Sequence, residues 1–346
     1  MKAGKYISIL IASITLLGLV CCKRERHQPD RAFYYWKSNF NLSAKDIAYL
    51  NDAHVSKLYI HFFDVAFSDR DNKPYPVDEV RFSTMPDKQF EYIPVVFIPN
   101  KTLEHLSADS IEQLSSHIYT QVSYLATANR LSYKELQFDC DWTETTRVKY
   151  FKLLTFFHDR LHDSGKILSA TIRLHQVKYP DVTGIPPIDR GMLMFYNMGK
   201  INAEPGNNSI YNSKDANKYV TYVTSYPLPL DVALPVFSWA VCIRNGQANN
   251  IIEKAVRTDF PDSLFSAIGN NMFISRSSVL LHGRYFDKND TVKMEEVTPQ
   301  LCVEAANNVN GYLKDAHRTL SLFEYDSLYL SHYDKKSITQ IFTGSN

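Results

Sequence analysis

The chain has 346 residues, 45% of them hydrophobic and 22% charged, enough apolar material for one large core or two ordinary ones. Its 38 basic and 37 acidic residues leave a net charge of +1, so no field of one sign favours nucleic acid or another polyanion. With 12 glycines and no GxGxxG or GxxxxGK[ST] run, the sequence offers no phosphate cradle for a nucleotide, and no cofactor is expected.

The N-terminal stretch MKAGKYISILIASITLLGLVCC carries Lys2 and Lys5, an apolar run from Ile7 to Val20, and then two cysteines. A basic head, a short apolar core and small residues at its end define a secretory signal. The run is about 14 residues, short of the roughly 20 needed to cross a bilayer. Its end at cysteine resembles the bacterial lipoprotein signal, which implies lipidation at Cys22, with Cys21 as the fallback. Residues 1–21 are thus expected to be removed, 22–30 to form a tether, and 31–346 to fold as a single domain held at a membrane of the bacterial cell envelope. KRERHQPD is basic and gives no sign of which face of the membrane the protein occupies. Cys140, Cys242 and Cys302 have no metal-binding spacing and read as buried small hydrophobes, with one disulfide among them left open by an oxidising compartment.

Short apolar runs then recur. AFYYW (32–36) is followed by SAKDIAYLNDAHV, a helix with Ser43 as its N-cap, and by the run KLYIHFFDVAF (57–67). YIPVVFI (92–98) precedes a strong amphipathic helix carrying Ile111, Leu114, Ile118, Val122 and Leu125 on one face. ELQFDCDW (135–142) leads into a helix ended by Gly165. The fifth to eighth runs are ILSATIRLH (167–175), GMLMFYNMG (191–199), DVALPVFSWAV (231–241) and TLSLFEYDSL (319–328), with an irregular stretch up to about residue 300 before the last helix and strand. Eight such runs with mostly helical crossovers predict an α/β fold, a (β/α)8 TIM-type barrel; an open doubly wound sheet is the alternative.

On the fourth run, alternation puts Gln137, Asp139, Asp141 and Thr143 on one face and Phe138, Cys140 and Trp142 on the other. The apolar set suits the helical shell, so both aspartates are expected in the lumen at the catalytic end of the barrel. About 7 Å apart, they would raise each other's proton affinity. On the fifth run Arg173 is their natural counter-ion, and His175 offers an acid or base beside it. The loop GIPPIDRG (184–191) belongs at the opposite mouth, with Asp189 and Arg190 as a structural pair. No HExxH, GxSxG or His/Asp/Glu cluster of metal-ligand spacing occurs, so no metal is expected.

DCDW after an apolar strand resembles the Asp-x-Asp-x-Glu motif on strand four of glycoside hydrolase family 18. MFYNM resembles that group's Met-x-Tyr-Asp/Asn element, and YIHFFDVAF its second strand. FSWAV and LFEY fit more loosely, so the similarity is patchy but spread through most of the mature chain. The chain also resembles bacterial lipoproteins of this length. The family's final Glu protonates the leaving oxygen while the preceding Asp orients the substrate's N-acetyl group. Asp139 and Asp141 match the motif, but Thr143 stands at the acid position and VVFIPN replaces the family's Ser-x-Gly-Gly.

The resemblance implies a glycan or glycoconjugate partner, with Asp139 and Asp141 central and Glu144 or Glu324 as displaced acid. Asp64, Arg173, His175, Tyr196, Asn197, Trp239 and Tyr325 would bind substrate. Trp239 is open between a stacking platform for a pyranose ring and a core residue. Two functions follow: a glycosidase-like lipoprotein, or a barrel that binds a glycan or peptide without turnover.

Overall fold

The structure, a computed structural model, describes residues 28–315 and 317–344. The expected signal sequence, the lipidation positions Cys21 and Cys22, and most of the tether lie outside the described residues. Eight parallel strands form a closed ring: β1 Asp30–Tyr35, β2 Lys57–Ser68, β3 Glu91–Phe97, β4 Glu135–Asp139, β5 Ile167–Arg173, β6 Arg190–Met194, β7 Leu230–Pro235 and β8 Thr319–Phe323. Each pairs with the next, and β8 closes on β1 through Asp30–Thr319 to Phe33–Leu322. This is the (β/α)8 barrel the run pattern predicts, and the open sheet is set aside.

The helical shell follows from the apolar stripes. Helix α1 (Ala44–Asp52) begins with a capping box in which the Ser43 hydroxyl accepts from the Asp46 amide and the Asp46 carboxylate accepts from the Ser43 amide. Helix α2 (Ile111–Ala128) buries Ile111, Leu114, Ile118, Val122 and Leu125, and α3 (Arg147–His162) buries Tyr150, Leu153, Leu154, Phe157 and Leu161. The outward face of β4 packs on α3, with the Phe138 and Phe157 rings 4.7 Å apart and Trp142 stacked on Tyr150 at 5.2 Å. The crossovers on either side of β6 hold only short turns of helix (Leu174–Lys178, Pro180–Thr183, Ser213–Ala216 and Val220–Val223).

The seventh run does not continue as one strand to Val241: β7 stops at Pro235, and Ser238–Arg244 starts a separate antiparallel sheet. The stretch read as irregular is that sheet, with strands Gln247–Glu253, Phe265–Gly269, Met272–Ser275 and Thr291–Glu296 beside Ser238–Arg244. It has its own core, in which Phe260, Phe265, Phe273 and Phe286 pack edge-on or stacked. The chain returns to the barrel through helix α4 (Pro299–Asn310). Cys140, Cys242 and Cys302 are buried free thiols.

Candidate functional site

The lumen of the barrel is polar along its length. At its N-terminal end Arg190 pairs with Asp231 at 2.8 Å and with Asp315 at 2.9 Å. Arg190 therefore does not pair with its neighbour Asp189, as the loop reading expected; Asp189 instead accepts from the Leu168 amide. Lys57 meets Asp30 at 2.9 Å, and the Ser169 hydroxyl donates to buried Glu135 at 2.5 Å. Higher up, Gln137 donates to Ser169 and accepts from the Tyr34 hydroxyl.

Above this lies the aspartate pair. Asp139 is buried and accepts from the Thr171 hydroxyl at 2.6 Å and from Arg173 Nη2 at 3.2 Å. Arg173 Nε donates to Asp141, whose side chain is 56% exposed. One guanidinium therefore bridges both carboxylates, in the counter-ion role read from the sequence. Burial pushes the Asp139 carboxyl above its ordinary value; Arg173 and Thr171 oppose that rise, and Asp141 and Asp64 add to it. Burial also acts to lower the Arg173 value, but the two aspartates outweigh it and hold the guanidinium charged.

Aromatic rings surround this pair. Tyr196, close enough to feel the Arg173 charge, donates its hydroxyl to Met194 Sδ at 3.3 Å and lies 5.5 Å from Phe323 and 5.6 Å from Phe237. Phe323 lies 5.6 Å from Trp36, whose ring is 4.8 Å from His61. His61 Nε2 pairs with Asp64 at 2.6 Å. A β-bulge between His61 and Phe63 lets both members of that pair share one face of β2, which strict alternation forbids.

The remaining sequence-derived residues are scattered. Thr143 is exposed in the turn after β4, its hydroxyl bonded to that of Thr145, and Glu144 is exposed beside it. His175 is not on the strand but on the short helix after it; burial, the largest influence, lowers its value. Asn197 sits at φ 52° just past β6, its amide donating to Ile210. Trp239 belongs to the inserted sheet, not to the end of β7, and donates to buried Glu295 at 2.9 Å; its ring is 5.6 Å from Phe237, near the mouth. Tyr325 turns outward, its hydroxyl donating to Asp46 on α1 at 2.8 Å, so it lies apart from the aspartates. Glu324 is buried in an ion pair with Lys254 at 2.9 Å, and the charges acting on it are Lys254, Asp326 and Lys37, not the aspartate pair. Trp36, His61, Phe237, Phe323 and Lys254 were not singled out from sequence.

No family model and no curated protein sequence matches the chain. Solved structures do. A chitinase from Chromobacterium violaceum superposes with a TM-score of 0.54 at 12% identity, over 92% of this chain and 99% of that one. The fold is that of the chitinase barrels. The Bacillus cereus spore cortex-lytic enzyme SleL gives 0.54 at 14% identity, over 92% and 76% of the two chains. A chitinase-like agglutinin from Robinia pseudoacacia gives 0.54 at 12%, over 90% and 99%. The chain thus shares the barrel architecture of these chitinase structures, the fold that DCDW and MFYNM imply.

Proposed function

We propose that this chain is a glycan-binding barrel that holds a sugar chain at its C-terminal mouth without cutting it, carried on a lipid anchor at the bacterial cell envelope. The observation behind this reading is Arg173. It donates to Asp139 and Asp141 together, while the position matching the family's proton donor carries the hydroxyl of Thr143. Cleavage assisted by an N-acetyl group needs a carboxyl that holds a proton beside the leaving oxygen, and a threonine hydroxyl does not give up a proton at neutral pH. Recognition needs less: a guanidinium and an exposed carboxylate for sugar hydroxyls or an amide, and aromatic faces for the ring. Arg173 and Asp141 supply the polar groups, and the half-buried rings of Phe323 and Trp36 supply the faces, backed by the buried Tyr196 and Phe237. That one structure of this fold is an agglutinin is consistent with binding as an end in itself.

A second reading, hydrolysis with Glu324 as proton donor, has one observation in its favour: burial raises the Glu324 carboxyl above its ordinary value. One set of measurements separates the two. Calorimetric titration with chitooligosaccharides and a panel of other glycans is expected to show saturable binding, weakened several-fold by Tyr196→Phe, with no reducing ends released. Release of product that disappears in Asp141→Asn or Glu324→Gln would establish an enzyme, and absence of binding to every glycan would end both readings.

A further inference from the structure

Just past β1 the loop Trp36–Leu42 folds back under its own hydrogen bonds. The Tyr35 hydroxyl donates to the Asn39 carbonyl at 3.0 Å and accepts from the Asn41 amide at 3.0 Å. A shallow, open depression lies over this loop, bordered by Trp36, Lys37, Asn39 and Asn41 and, from the inserted sheet, by Lys254. The Trp36 ring belongs to the aromatic group at the mouth, so the depression continues directly from the site described above.

Charge is layered in this corner. Lys37 and Lys254 meet the same oxygen of Asp326, at 3.1 and 3.8 Å, and Lys254 also meets Glu324 at 2.9 Å. The carboxylates form the inner layer, with side chains 13% and 6% exposed, whereas the lysines are 34% and 46% exposed. Each ammonium has three donors and uses one or two of them on these acids, so each keeps at least one for a ligand. The acids fix two lysines side by side and present their free N–H groups beside an indole face.

We infer that this depression is a subsite for an anionic sugar unit, one bearing a carboxylate or a sulfate ester, which stacks on Trp36 and is held by Lys37 and Lys254. It rests on the glycan-binding reading and adds a preference to it: the neutral part of the chain lies over Arg173 and Tyr196, and the charged unit extends toward the insertion. Asn39 and Asn41 provide further polar edges for that unit's hydroxyls.

The test compares matched ligands by calorimetry at low salt: sialyllactose against its methyl ester, and a sulfated N-acetyllactosamine against its unsulfated parent. The charged member of at least one pair is expected to bind about tenfold tighter, an advantage that falls with added salt. Lys37→Met should reduce that ratio. Lys254→Met combined with Glu324→Gln, which removes the ammonium together with the acid beneath it, should reduce it without leaving a buried charge unpaired. Equal binding of charged and neutral members, or a ratio unmoved in both variants, would overturn the subsite while leaving the glycan site standing. Failure of every ligand to bind would instead remove the underlying reading, and the subsite with it. A preference for the carboxylate pair alone, or for the sulfate pair alone, identifies which anion the depression takes.

Discussion

Arg173 holds two carboxylates in place, and its removal should therefore cost more than a surface ion pair would. Asp139 is buried, and among the described residues its further side-chain partner is the Thr171 hydroxyl. Arg173→Met leaves that acid uncompensated and is expected to destabilise the fold by about 3–5 kcal/mol in denaturant unfolding. Arg173→Met with Asp139→Asn should recover much of the loss, since the amide needs no counter-charge and can still accept from Thr171. If the double variant is as unstable as the single, the guanidinium acts by packing and not by charge. At this scale the aspartates were legible because the period of a strand alone separates Asp139 and Asp141 from Phe138, Cys140 and Trp142. Tyr325 and His61 were not, for a physical reason. Tyr325 follows the end of β8, where alternation no longer applies, and the bulge in β2 brings His61 and Asp64 together across an odd spacing.

Elements were legible where a continuous apolar stripe specified them. The eight barrel strands and the helices α1 to α4 lie where the runs place them, but the runs overshoot at the C-terminal ends of β4 to β8. There the chain leaves the ring while staying apolar, because the mouth itself is lined with Tyr196, Phe237 and Trp239. The inserted sheet left a signal that apolar runs do not register. Asn245–Gly246, both with positive φ, make the two-residue turn joining Ser238–Arg244 to Gln247–Glu253. His282–Gly283 does the same for the hairpin Val279–Leu281 with Arg284–Phe286. The sheet is fixed to the loop after β6 through two buried residues of one strand, Lys293 and Glu295, which pair at 2.7 Å: Glu295 accepts from Trp239 and from the Ser209 amide and hydroxyl, and Lys293 donates to Asn202 and to the Glu204 carbonyl at 3.4 Å. Lys293→Met should leave Glu295 charged and underpaired, loosen the loop 199–211, and raise its amide exchange well above that of β6 while the barrel core stays protected. Unchanged exchange in that loop would show that the hydrogen bonds to Ser209 and Trp239 suffice on their own.

Across the whole molecule, the lumen is a column of charge that makes stability depend on pH. Glu135 shares the inward face of β4 with Gln137 and Asp139, an alternation visible in ELQFD, although its partners come from β2, β5, β6 and β7 and no sequence spacing relates them. Burial pushes the Glu135 carboxyl from an ordinary value of 4.5 to about 7; Asp231 adds to the rise, and Ser169, Lys57 and Arg190 oppose it. Asp231 itself is pushed from 3.8 to about 6, again by burial, with Arg190 the main opposing charge. A carboxyl whose folded value is raised favours the fold while protonated. The unfolded chain gives up that proton first as pH rises, so the stabilisation is complete below about pH 4.5 and is lost by the time pH passes 7. Carboxyls held below their ordinary value, such as Asp46 and Asp326, act in the opposite sense and only on the acid side of 3.8, outside that window. For Glu135 the loss is on the order of 3 kcal/mol across the window. Unfolding free energies measured every half pH unit from 5 to 8 should therefore fall in the native protein and fall less steeply in Glu135→Gln, whose amide can still accept from Ser169. Parallel curves for the two proteins would mean that Lys57 and Arg190 already hold Glu135 ionised throughout, and that the column titrates through Asp231 instead.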